Sequence, residues 1–214
     1  MRTFSHPGYK RFLLSVGCLL SIHFTALFFL TLFRLVFFFS ANYDFPDQEH
    51  VGFMSIWPAF IRGVWFDNVI ACYILLIPLV AVSISALFNY YGKILWNVTC
   101  IFFSLFYGIV LLVTAANIPY FQYFFKIINS SVFNWFGYMN TTAGMVFGET
   151  SYYPPLIGFI LTLVLFIWLM RRLIRHFQRL LNTKNPSVFW LDRIYIFLTA
   201  GICIGLCLFG IRGR

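Results

Sequence analysis

The stretch FLLSVGCLLSIHFTALFFLTLFRLVFFFS, residues 12–40, decides the architecture. Wound as an α-helix at 1.5 Å per residue, it is longer than the ~30 Å hydrocarbon core of a bilayer is thick. Arg2, Lys10 and Arg11 flank it on the N-terminal side. A signal-peptide core has only about 7–15 apolar residues, so the run reads as an uncleaved signal anchor and first membrane span.

Working outward, four more apolar runs follow, over residues 68–88, 94–116, 156–176 and 194–210. Turn and breaker residues separate them: Asn89-Tyr90-Tyr91-Gly92 after the second, Pro154-Pro155 before the fourth and Asn185-Pro186 before the fifth. Pro78 lies inside the second run and predicts a kink there. The sequence therefore predicts an all-α membrane bundle of five transmembrane helices in a single domain, residues 1–214. The chain as a whole is 61% hydrophobic and 10% charged, with mean hydropathy +0.86. That composition excludes an ordinary soluble globular domain, which carries about 25% charged residues.

Two segments fit neither span nor loop. Residues 118–153 hold Tyr120, Phe121, Tyr123, Phe124, Phe125, Phe133, Trp135, Phe136 and Tyr138 with few charges, which predicts an aromatic segment at the membrane interface between the third and fourth spans. Over the end of the fourth run and just beyond it, Arg171, Arg172, Arg175 and Arg179 interleave with Leu173, Ile174, Phe177 and Leu180. They read as an amphipathic continuation in contact with anionic lipid, or equally as a plain topogenic stop.

The net charge of +9 sits beside apolar runs, so it carries topology and lipid contact, and no nucleic-acid partner is expected. With the N-terminus in the cytoplasm, Arg2, Lys10, Arg11, Lys93, Arg171, Arg172, Arg175, Arg179, Lys184 and Arg193 all lie inside. Arg62, Lys126, Arg212 and Arg214 lie outside, as do Asp44, Asp47, Glu49, Asp67 and Glu149. The basic asymmetry predicts N-in, C-out.

Chemistry-bearing residues are sparse. Cys18, Cys72, Cys100, Cys203 and Cys207 fall inside apolar runs and read as small buried hydrophobes. His6, His23, His50 and His176 lie on different segments, and His23, near the middle of the first span, is expected to form an interhelical hydrogen bond. No metal-ligand motif, phosphate loop or nucleophile–base set is present, so neither a catalytic site nor a cofactor is expected within these residues. Arg34, near the outer end of the first span, and Asp67, at the mouth of the second, stand out with Arg62. Charges at that depth pair or bind a polar group. Both readings stay open: a pair clamping two helices, or a site where arginine holds a lipid phosphate.

Three local patterns carry a resemblance. They are Arg62-Gly63-Val64-Trp65-Phe66-Asp67 entering the second span, Ala116-Asn117-Ile118-Pro119-Tyr120-Phe121 leaving the third, and Gly210-Ile211-Arg212-Gly213-Arg214 after the fifth. Together with the order of spans, they resemble the N-terminal membrane domain of the lipoteichoic acid synthase-like phosphoglycerol transferases of the sulfatase superfamily. The resemblance implies a bacterial cytoplasmic membrane protein and a lipid-linked phosphoglycerol or phosphoethanolamine substrate. It further implies an extracellular catalytic domain after residue 214, absent from these residues, which would hold the threonine nucleophile and a divalent manganese or magnesium. The competing expectation is a self-contained small membrane protein, such as a transporter or an assembly subunit.

Overall fold

The computed structural model describes residues 6–43, 53–129, 144, 148, 150–181 and 190–212. They form five long helices: α1 (Pro7–Tyr43), α2 (Phe53–Leu87), α3 (Lys93–Phe124), α4 (Tyr153–Leu181) and α5 (Trp190–Arg212). A single 3-10 turn, Thr150–Tyr152, precedes α4, and no strand occurs among the described residues. All five helices are long and apolar enough to cross a membrane. The protein is an all-helical, multi-pass membrane bundle.

The helices outrun the apolar stretches that reveal them. The second span was expected to start at residue 68, after an outside loop of residues 41–66. Instead α2 begins at Phe53, so Arg62 and Asp67 both lie within it. Residues 53–66 are themselves mostly apolar, and the helix runs on through Pro58, Arg62 and Gly63, which read in the sequence as breaks before the span. The interfacial segment expected over residues 118–153 is likewise helical at its start, because α3 runs to Phe124. Most of its remainder, including Phe133, Trp135, Phe136 and Tyr138, lies outside the described residues. The arginine-rich stretch after the fourth run continues α4 without a break to Leu181.

α1 is the hub. It packs against all four other helices, between an α2–α5 pair and an α3–α4 pair. Its buried side chains recur at helical spacing, including Phe12, Leu19, Ile22, Ala26, Phe29, Leu30 and Phe33. Lipid tails are as apolar as a protein core, so burial alone cannot orient such helices, and close packing has to do it. Accordingly small residues line the contacts: Ala26 on α1, Ala71 and Ala86 on α2, Ala115 on α3 and Ala200 on α5. Phe166 of α4 is fully buried and meets Phe29 of α1 and Tyr107 of α3 edge-on, with ring centroids 6.2 and 5.5 Å away.

Hydroxyls within the spans return to their own helix. Ser15, Ser21, Thr25 and Thr31 on α1, and Ser83 on α2, each donate to the carbonyl four residues back. This satisfies them where no water is at hand.

The tightest connection joins α2 to α3. Asn89 adopts a left-handed conformation (φ 53°). The amide of Tyr90 then reaches back to the Ser85 carbonyl (2.8 Å) and that of Asn89 to the Ala86 carbonyl (3.0 Å). This is a Schellman closure, and asparagine tolerates the left-handed position better than most residues. Gly92 caps the start of α3, and a Cβ there would collide with the Tyr90 ring. The pair of residues folds the turn flat against the end of the bundle.

Candidate functional site

Chemically active side chains gather at the two ends of the bundle. At the first end, Arg34 of α1 grips Asp67 of α2 bidentately: Nη2 donates to Oδ1 at 2.7 Å and Nε to Oδ2 at 3.1 Å. A fork of two charge-assisted bonds is among the stronger polar contacts available to a protein. Gly63, one helical turn before Asp67, makes it possible. A Cβ at that position would overlap the Nη1, Cζ and Nε atoms of Arg34. The guanidinium therefore lies in a notch on the α2 backbone, with the carboxylate closing one side. The Arg34 side chain stays 33% exposed and Asp67 14%. Arg62 is exposed.

The same end carries a groove of about 330 Å³ between α1, α3 and α4, lined by Phe33, Val36, Ile118, Pro155 and Thr162 among others. Gln122 donates to the Ser40 hydroxyl there at 3.0 Å. At about 100° per residue, Phe33, Val36 and Ser40 all fall on one flank of α1, roughly a third of a turn or more away from Arg34. The clasp and the groove are separate features.

Between the ends lies a polar contact within the spans. His23 Nε2 meets Asn68 Oδ1 at 3.2 Å, joining α1 to α2 as an interhelical hydrogen bond. The Cys207 thiol of α5 donates to the Cys72 carbonyl of α2 at 3.2 Å. All five cysteines are free thiols. Among the described residues no three His, Cys, Asp or Glu side chains converge as a metal-ligand set would.

The second end is basic and contains what the sequence did not reveal. Asp192 opens α5 fully buried, and its Oδ1 lies 2.7 Å from His6 Nδ1 at the start of α1. The position within the first turn of α5 also favours a negative charge. The His6 ring packs edge-on against Tyr195, and Tyr9 Oη accepts from Thr199 at 3.2 Å. The two partners in this contact are 186 positions apart, and nothing in the local pattern links them. Among the described residues, Asp192 is the sole acidic residue of the basic end.

Nearby, the α2–α3 turn, the start of α1 and the end of α4 enclose a cavity of about 540 Å³. Arg175 and Arg179 line it, whereas Arg172 turns aside and lies over the Trp168 ring at 5.3 Å. Arg171 is exposed outside the cavity. The four arginines expected to act together on lipid are thus divided into two pairs. Arg11 reaches the cavity from α1, with its guanidinium 5.7 Å from the centroid of the Tyr91 ring. Burial pushes the Tyr91 hydroxyl up to about 12, although the nearby Arg11 charge pulls the other way, so it remains a protonated donor.

No known protein family, curated protein or solved structure matches the chain. What the protein does is therefore argued from its own residues.

Proposed function

We propose that the chain is the membrane-anchoring domain of a sulfatase-superfamily enzyme. This enzyme resembles the lipoteichoic acid synthases and works on lipid-linked phosphoglycerol or a similar headgroup outside the bacterial cytoplasmic membrane. The observation that carries this reading is the clasp. Within the stretch Arg62 to Asp67, on which the resemblance rests, Gly63 and Asp67 act as one unit around Arg34. Arg34 lies about 35 Å along α1 from Arg11, close to one bilayer thickness away. The clasp therefore belongs at the opposite interface from the basic end, the side from which an outside catalytic domain would approach. The exposed third of the Arg34 side chain is where a headgroup phosphate would add to the clasp.

The basic end is cytoplasmic on this reading, following the lysine and arginine asymmetry. Single cysteines at Asn140 and Thr183, positions outside the described residues, test the orientation with a membrane-impermeant thiol reagent on intact cells. The native cysteines lie within the helices and should react little. Labelling is expected at position 140 alone, and labelling at 183 alone would reverse the topology.

Catalysis is expected from a domain encoded beyond Arg214, which would also hold the divalent metal. The purified chain in phosphatidylglycerol vesicles should release no glycerol phosphate when manganese or magnesium is added. A protein joined to the sequence encoded downstream should release it. Turnover by the chain alone, or a downstream frame lacking a threonine nucleophile and metal-binding carboxylates, would overturn the proposal and favour a self-contained membrane protein.

A further inference from the structure

We propose that the cavity at the basic end is a binding site for a phosphate group carrying two or more negative charges. The inference is independent of the proposed function, because it concerns the other end of the bundle and different residues. Four permanent cations line the cavity: Arg11 from α1, Lys93 from α3, and Arg175 and Arg179 one turn apart on α4. No carboxylate is among the described lining residues. Lys93, Arg175 and Arg179 are exposed to solvent, so water screens their mutual repulsion, and the positive potential they focus on the pocket attracts an anion.

Trp96 supplies a second, independent observation. It is 1% exposed, lines the cavity, and its indole Nε1–H has no hydrogen-bond acceptor. The Tyr91 hydroxyl is likewise buried without a partner on the same wall. Buried donors left unpaired are costly. An indole N–H can only donate, so what it lacks is an acceptor oxygen. The unpartnered Trp96 and Tyr91 donors, the basic lining and a volume of about 540 Å³ together describe a phosphate site. The guanidinium forks of Arg175 and Arg179 suit phosphate oxygens bidentately, and Lys93 adds a compact point charge. Gly92 and the closed turn at Asn89 hold Tyr91 and Lys93 at the rim.

This chemistry has two sources, the headgroup of an anionic lipid or a soluble phosphate compound. Basic pockets between transmembrane helices are known to take the first. The whole chain in phosphatidylcholine nanodiscs doped with phosphatidic acid distinguishes them, with retained lipid measured by native mass spectrometry and inorganic pyrophosphate as competitor. Arg175→Gln with Arg179→Gln is expected to weaken phosphatidic acid or pyrophosphate binding about tenfold or more, equal to ~1.4 kcal/mol. Arg171→Gln with Arg172→Gln removes the same charge outside the cavity and is expected to weaken it less than about twofold. Tyr91→Phe, which deletes one oxygen, should weaken binding with little change in thermal midpoint. Trp96→Phe should do the same if it folds. Lipid retained against pyrophosphate identifies a headgroup, whereas lipid displaced by pyrophosphate identifies a soluble phosphate, and either supports the site. Equal losses from the two arginine pairs, or no saturable binding of either probe, would overturn it.

Discussion

Asp67→Ala is expected to destabilise the folded bundle by about 2–3 kcal/mol, measured by denaturant titration in detergent. Removing one partner of a fully buried ion pair costs about 3–5 kcal/mol because the other charge is stranded. The partial exposure of Arg34 allows some rescue by water and lowers the figure. Arg34→Ala should cost a similar amount, and the double substitution clearly less than the sum, since the contact is lost only once. Gly63→Ala sharpens the test because it leaves both charges in place. Its methyl occupies the space of the guanidinium, so it should destabilise the native protein by about 1–3 kcal/mol, the usual cost of overpacking. In an Arg34→Ala background the same change should be nearly neutral. Simple additivity of Gly63→Ala and Arg34→Ala would show that the notch does not hold the guanidinium. Exchanging the charges, Arg34→Asp with Asp67→Arg, should restore only part of the loss, because the notch lies on α2 and fits an arginine arriving from α1.

Phe166→Ala is expected to have the largest effect of any single change on α4. The ring is fully buried and bridges Phe29 and Tyr107, so its removal opens a void where three helices meet. Buried Phe→Ala changes typically cost about 3–5 kcal/mol. Much of that is packing, which is also what drives association inside a bilayer. Most of the apolar surface of α4 is exposed, and its other buried side chains, Met170 and Ile174, lie on the turns that follow Phe166. The expected outcome is partial detachment of α4, seen as new protease cleavage at its ends before α1 and α2 unfold. Phe166→Leu should retain most of the stability. If Phe166→Ala costs less than about 1 kcal/mol, the aromatic bridge is not what fixes α4.

The five spans were legible because each apolar run approaches the thickness of a bilayer, a property written locally along the chain. The Arg34–Asp67 contact was legible for a related reason: two opposite charges at one depth on consecutive antiparallel helices have few other partners. Helix ends were not legible. Residues 53–66 are mostly apolar, but Pro58, Arg62 and Gly63 interrupt them, and such residues read as the approach to a span rather than part of its helix. Gly63 resembled any other glycine in its motif until the guanidinium was seen against it. The basic cavity shows a different limit. Arg11, Lys93, Arg175 and Arg179 were each legible as residues of the basic side, but their convergence depends on how the helices pack. Trp96 was hidden by its own apolarity, since an indole in a hydrophobic run reads as a core residue and its N–H goes unnoticed.

The central place of α1 has a consequence for biogenesis. α1 is made before the other four helices, and each of them docks against it. When α2 leaves the translocon, the residue that Asp67 needs is already waiting in the bilayer, and the same holds for Phe29 when α4 arrives with Phe166. Each newcomer finds its cognate surface already in place, and Arg34 waits only for the next helix to bring its partner. The chain order is thereby also an assembly order, with the earliest segment serving as the template for everything that follows.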